Sequence, residues 1–151
     1  MREWRGKRYW LIGASEGLGR ELAVQLSRVG AEVIVSARSA DRLESLVGEL
    51  PGKGTAVTVD VSDRASVEAA AKEAGDIDGM VYLAGLYDPM TAKEWDAGKV
   101  ETMVDVNLGG CVRAIGAVLP CAVKTSHSQQ VSAGAKVDPP AVGWGRPSFP
   151  Q

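Results

Sequence analysis

From residue 8 to about residue 120, short apolar runs alternate with longer stretches in which apolar residues recur every three or four positions. The runs at 8–12, 32–36, 55–60 and 79–84 have the length and the β-branched or aromatic content of strands. Between them, Leu18, Leu22, Leu26 and Val29 mark one helix, Leu43, Leu46, Val47 and Leu50 a second, and Val67, Ala70, Ala71 and Ala74 a third. Gly30 stands where a helix end favours a left-handed residue, and Pro51-Gly52 closes the second helix. Ser62 or Asp63 is placed to cap the third, which stops at Gly75. Val104, Leu108, Ile115 and Leu119 form one stripe of a longer helix, expected to end at Pro120 because proline removes a backbone donor. Strands that alternate with helices in this way predict a doubly wound parallel sheet, strand order 3-2-1-4, with helices on both faces and right-handed crossovers.

The rhythm ends after Pro120. Residues 121–151 hold Pro139, Pro140, Pro147 and Pro150 among serines, glutamines and glycines, with no strand or helix period, and read as a low-structure tail. The chain therefore divides into a domain over 1–120 and a tail over 121–151. No internal repeat is present.

The chemistry concentrates at the first strand-to-helix junction, Ile12-Gly-Ala-Ser-Glu-Gly-Leu-Gly19. Gly13 allows a sharp turn off the strand, Gly17 allows backbone to approach a pyrophosphate, and Gly19 allows close packing of the helix. The helix that opens there presents unpaired N–H groups and a positive dipole end, with Ser15 and Leu18 in the same cradle. Such a Rossmann-type turn is dinucleotide-binding chemistry. A glycine-rich turn also serves other nucleotide-binding classes and some plain loops, so the remaining motifs carry the decision.

Composition changes the picture mainly by exclusion. A net charge of −2 is poorly matched to nucleic acid or an anionic membrane, since both call for clustered Lys and Arg. The basic N-terminus, Met1 to Arg8, precedes an apolar run too short for a signal peptide or a membrane span, so a soluble, cytoplasmic protein is expected. Cys111 and Cys121 have no metal-ligand spacing and read as free thiols, Cys111 as a small core residue. His127, the only histidine, has no partner set, and no metal site is expected. Trp4, Trp10 and Trp95 read as packing residues.

The spacing Gly13-x-x-x-Gly17-x-Gly19 resembles that of the short-chain dehydrogenase/reductase family, and three further motifs in register extend the resemblance over residues 1 to about 120. Asp60-Val61 falls where that family places an Asp that accepts from the adenine amino group. Ala84-Gly85 resembles the end of its Asn-Asn-Ala-Gly turn beneath the nicotinamide ribose. Trp95-Asp96 followed by Asn107-Leu108-Gly109-Gly110 resembles its active-site helix, in which the Asn holds a water of the proton relay. Ile12 replaces a usual Thr, and Tyr82-Leu83 replace two usual Asn, which implies a nicotinamide end shaped differently from the family's. The resemblance implies an oxidoreductase acting on an alcohol/carbonyl pair.

The end of the second strand speaks to cofactor choice. An acidic residue at Ala37 would favour NAD by bonding the ribose 2′-hydroxyl; none is present, and Arg38 offers a charged fork for the 2′-phosphate of NADP. Its alternative is a solvated charge beside Asp41 and Glu44. Ala37-Arg38 also argues against a methyltransferase, which wants an acidic residue there. Glu16 stands where the NADP-preferring branch often adds a second basic residue.

The family's chemistry further requires a Ser and a Tyr-x-x-x-Lys pair after the Asn-bearing helix. No tyrosine follows Tyr87. Ser126, Ser128, Ser132, Lys124 and Lys136 read as solvated tail residues, and Asn107 keeps its relay position without partners. Two explanations are open: an out-of-frame or truncated reading of a longer enzyme, which we favour because the resemblance stops at one point, or a non-catalytic dinucleotide-binding module that acts as a sensor or partner. Either leaves residues 80–84 as an apolar sheet edge and the long helix with an unpartnered stripe, so self-association through one of them is expected.

Overall fold

The computed structural model describes residues 4–126, with side chains to residue 119. Four parallel strands, β1 (Arg8–Ile12), β2 (Glu32–Ala37), β3 (Gly54–Thr58) and β4 (Gly79–Tyr82), stand in the order β3-β2-β1-β4. Helices α1 (Gly17–Arg28), α2 (Ala40–Glu49) and α3 (Arg64–Ala74) join them, so the order and alternation expected from the sequence are those observed.

The side chains of a strand alternate between faces, and the core divides accordingly. Leu11, Val33 and Val35 meet α1 and α2 through Ala23, Leu26, Leu43 and Leu46. Trp10, Ile12, Ile34 and Val57 face the other way and pack on Val67, Ala70, Ala71 and Ala74 of α3 and on Ala114. At the amino ends of the strands, Arg8 pairs with Glu32, and Asp78 accepts from the Arg8 amide and the Lys7 ammonium.

Local signals account for the helix ends. The α1 terminus closes with Gly30 at φ 89°, its amide on the Ser27 carbonyl and that of Ala31 on Leu26, a Schellman arrangement. Asp63 caps α3 by accepting from the Ala65 amide. One stripe differs from expectation. Leu18 is 73% exposed and Val29 51%, because α1 meets the sheet through Gly19, Ala23 and Leu26. The contact runs through Gly19, Ala23 and Leu26, with Leu22 half-buried beside them, which turns Leu18 and Val29 outward.

The long helix departs further. It begins as α4 (Ala97–Val104), passes through a π-helical turn over Asp105–Gly109 and continues as α5 (Gly110–Ser126), six residues beyond Pro120. Proline removes one N–H donor but keeps its carbonyl, so a helix can continue past it at a cost. Val104, Leu108, Ile115 and Leu119 lie on its outer side, and its buried face is Gly110 and Ala114, with Ala117 and Val118 half-buried. By length and composition alone, residues 97–119 could also cross a membrane; here α5 packs against α3. Trp95, expected to pack, is 64% exposed, whereas Trp10 is buried and Trp4 lies against Tyr9. Cys111 is half-buried. Residues 121–126, expected to belong to the tail with Lys124 and Ser126, form the end of α5 instead, and the rest of the expected tail, with His127, Ser128, Ser132 and Lys136, lies outside the described residues.

Inside the core, the Trp10 indole N–H donates to the Ser36 hydroxyl at 2.8 Å, and neither side chain reaches solvent. Ser36→Ala leaves that N–H without a partner and should cost about 1–3 kcal/mol in urea unfolding. Adding Trp10→Phe should cost less than the sum of the two single changes, and strict additivity would mean that the bond carries no coupling.

Candidate functional site

The carboxyl ends of the strands open on a cleft of about 420 Å³, the position at which open α/β sheets bind ligands. Its floor is the turn after β1. Gly13 has φ 92°, and a Cβ there would fall on the backbone nitrogen of Ala84, so only glycine lets the turn pass beside the end of β4. The Gly13 and Ala14 amides both donate to the Ser36 carbonyl, at 2.7 and 3.1 Å. Gly17 has φ 56° and nothing within 4 Å of the place a Cβ would take, so the turn's rim is open. A Cβ on Gly19 would strike the Gly13 carbonyl and Ala14, so this glycine holds the helix against the turn itself.

Among the expected site residues, Gly13, Ser15, Arg38, Asp60, Val61, Ala84 and Gly85 line one cleft. Gly17, Leu18, Gly19 and Asn107 do not, and Leu18 points to solvent from the first turn of α1. Asp60 follows β3 and accepts both the Ser62 amide (2.9 Å) and the Ser62 hydroxyl (2.6 Å) on Oδ1, while its own amide donates to Ser66. No hydrogen bond among the described residues uses its Oδ2. The Ser62 hydroxyl and amide, and more weakly Arg38, hold the Asp60 carboxyl below its ordinary range against the opposing effect of burial. Capping of α3 falls to Asp63 instead. Arg38 is exposed and enters none of the ion pairs among the described residues; the surface pair weighed for it with Asp41 or Glu44 is not formed.

At the other end of the cleft, Asn107 sits in the π-helical turn and faces the segment after β4. Its Oδ1 accepts the Leu86 amide at 2.7 Å and its Nδ2 donates to the Leu86 carbonyl at 2.9 Å, so one amide side chain holds both polar groups of one residue. The π turn has a visible origin. The Gly110 amide bonds Asp105, five residues back, and the Val106 carbonyl accepts the Tyr82 hydroxyl at 2.5 Å. The Tyr82 phenol donates this bond, and burial pushes it up to about 12. Tyr82 thus replaces one expected Asn with a tie to the helix. A Cβ on Gly110 would meet that hydroxyl and, at 2.9 Å, the Val61 side chain.

Arg113, which the sequence did not single out, joins the two ends. Its Nη1 donates to the Val61 carbonyl at 3.0 Å while its guanidinium holds Asp105, the first residue of the π turn. Arg42 and Glu16 also line the cleft and pair with each other at 2.7 Å. A spacing argument has no access to such contacts, which depend on how separate helices are placed.

A family model described as short chain dehydrogenase matches residues 7–135. Among curated proteins, the chain is 37% identical over 150 aligned positions to glycine betaine reductase ATRR of Emericella nidulans, covering 89% of this chain and 11% of that protein. It is 32% identical to dehydrogenase/reductase SDR family member 7 of Mus musculus, covering 86% of this chain and 44% of that one. Of the solved structures, 3-ketoacyl-(acyl-carrier-protein) reductase of Brucella melitensis, complexed with NADH, superposes with TM-score 0.73 at 27% identity, covering 78% of this chain and 51% of the other. The chain thus spans about half or less of the length of these relatives.

Replacing Asn107 by Ala removes both bonds to Leu86. Stability should fall by about 1 kcal/mol, less than two fully buried bonds would contribute. Amide exchange at Leu86 should accelerate selectively; unchanged protection there would show that the segment holds itself.

Proposed function

Because this chain belongs to the short-chain dehydrogenase family, we propose that the cleft binds a nicotinamide dinucleotide and takes NADP in preference to NAD. The observation that carries the reading is Arg38, an exposed guanidinium at the mouth of the cleft formed by the glycine turn that enters no ion pair among the described residues, with no acidic residue at Ala37. The residues present suit such a group. The Gly17 rim leaves space for phosphate at the start of α1, the open Oδ2 of Asp60 is an acceptor for an adenine amino group, and Ala84-Gly85 bring backbone alone to the far end. Bound NADH in the Brucella reductase supports a nicotinamide dinucleotide in general, and the preference for the phosphorylated form rests on Arg38.

The activity of the family to which the chain belongs is oxidoreduction, and we assign the complete protein to an alcohol/carbonyl pair. A bound nicotinamide supplies or accepts hydride. The residues of this chain contribute binding and orientation: Asn107 fixes the Leu86 backbone beside the cleft, and Tyr82 holds the Asn107 helix. General acid and base groups add about 10² to 10⁴ in rate, and residues 1–151 contain no Tyr-x-x-x-Lys.

Three outcomes test this reading. In a thermal-shift titration at about one hundred times the dissociation constant, NADP should add about 2.7 kcal/mol of apparent stability. Arg38→Asp should weaken NADP and spare NAD; equal loss for both would remove Arg38 from the 2′-phosphate. Purified 151-residue chain should oxidise no NADPH against a panel of carbonyl compounds, with a full-length relative as the active control. Turnover near that control would mean that a proton donor lies elsewhere in the chain.

Self-association forms part of the same proposal. β4 pairs only with β1 among the described residues, leaving an open edge, and Val104, Leu108, Val112, Ile115 and Leu119 are each at least 42% exposed along one helix. Light scattering should show dimers or larger species whose proportion rises with concentration. Leu108→Glu with Ile115→Glu should shift that distribution downward, and a monodisperse wild-type monomer at high concentration would contradict the expectation.

A further inference from the structure

The mouth of the cleft holds a second guanidinium. Arg42 lies in the first turn of α2, four residues after Arg38, and its Nη1 is 2.7 Å from Oε2 of Glu16. Glu16 precedes α1 as its N-cap residue, in extended backbone with φ −156°, yet its side chain makes no bond to its own helix. Its carboxylate crosses instead to the neighbouring helix, so the beginnings of α1 and α2 are bridged over the cleft they border. We propose that Arg42 is a second anion-binding residue of this cleft, specific for a 2′-phosphorylated adenosine, and that Glu16 is the internal anion it releases when that phosphate arrives.

The charges favour this exchange. A phosphate monoester carries about −1.5 to −2 at neutral pH and presents three acceptor oxygens. Arg38 alone matches half of that charge, and Arg38 with Arg42 match it fully, with Ser39 between them on the same wall. Of the five N–H donors of Arg42, the Glu16 contact uses one, leaving a planar fork that suits phosphate. The bridge is also soft. The Arg42 side chain is 60% exposed and that of Glu16 75%, so water screens the pair and little stability is lost when it opens. An unphosphorylated dinucleotide lacks the 2′-phosphate that takes the place of Glu16 on Arg42 and leaves the bridge closed. Discrimination between the two cofactors is then set by an exchange of partners at Arg42 as well as by attraction to Arg38.

This inference rests on the NADP reading above, and the experiment separates the two. Dissociation constants for NADP, NAD and adenosine 2′-monophosphate are measured by calorimetry on the 151-residue chain and its Arg38→Met, Arg42→Met, Arg42→Lys and Glu16→Gln variants, with circular dichroism to verify folding. Arg42→Met should weaken NADP and adenosine 2′-monophosphate by about tenfold and change NAD by less than about twofold. Arg42→Lys should recover part of that loss. Glu16→Gln should tighten the two phosphorylated ligands by about two- to fivefold, the size of a surface ion pair, and this gain should shrink in the Arg42→Met background. If Arg38→Met weakens NADP and Arg42→Met does not, Arg42 is a surface charge and the proposal fails while the NADP reading stands. If neither change alters the ratio of NADP to NAD affinity, both fail together.

Discussion

The carboxyl end of β1 is pinned from both sides, and the rest of the site hangs from it. Two consecutive amides, those of Gly13 and Ala14, converge on the single Ser36 carbonyl at the end of β2, while the space a side chain would need at Gly13 is filled by the backbone of Ala84 beyond β4. Three strand ends thus meet at one residue without a side chain. The contact fixes the direction in which α1 leaves the sheet, and with it the open rim at Gly17 and the cleft between α1 and α2. Beneath it, the Trp10–Ser36 bond ties the same two strands through their side chains, so the junction is held in the dry core as well as at the surface.

The opposite wall is built differently. There the backbone leaves β4 without regular structure, and order comes from the long helix. Asn107 takes over both polar groups of Leu86 as a neighbouring strand would, Tyr82 reaches the Val106 carbonyl, and Arg113 spans from the π turn to Val61 after β3. The extra residue of the π turn lies among these contacts, which carry Val106 and Asn107 to β4 and its following segment while Arg113 reaches Val61. The two ends of the cleft are therefore parts of one connected scaffold, with Arg113 and Asp105 as its cross-member.

Much of this was legible in the residues. Strand positions, their order and the capping of α3 followed from alternation, glycine placement and Asp63, because those signals act within a few residues of where they are written. Seven of the expected cofactor residues do line one cleft, since a motif at a strand end is carried to the same edge of a parallel sheet. What was not legible needed the third dimension. Leu18 of α1 and the outward residues of the long helix read as parts of core stripes because hydrophobic spacing does not say which side must be thin enough to approach its neighbour, and on the long helix the small residues Gly110 and Ala114 decide. The π turn left no mark in the periodicity, and the Glu16–Arg42 bridge joins residues 26 apart whose meeting depends on the packing of two helices. The helix beyond Pro120 shows that a residue costly to one hydrogen bond need not end a segment.

Gly110 shows that tolerance to change is low outside the cleft as well. A single methyl group at this position would occupy the place of the Tyr82 hydroxyl and press on Val61, so that either these side chains or the helix must shift. If the helix shifts, Asn107, one turn earlier on the same element, would move with it and part from Leu86, though nothing at the cleft had been altered. Sequence drift in this protein is therefore constrained also at a residue with no functional group, which lines no part of the cleft and contributes the room it leaves.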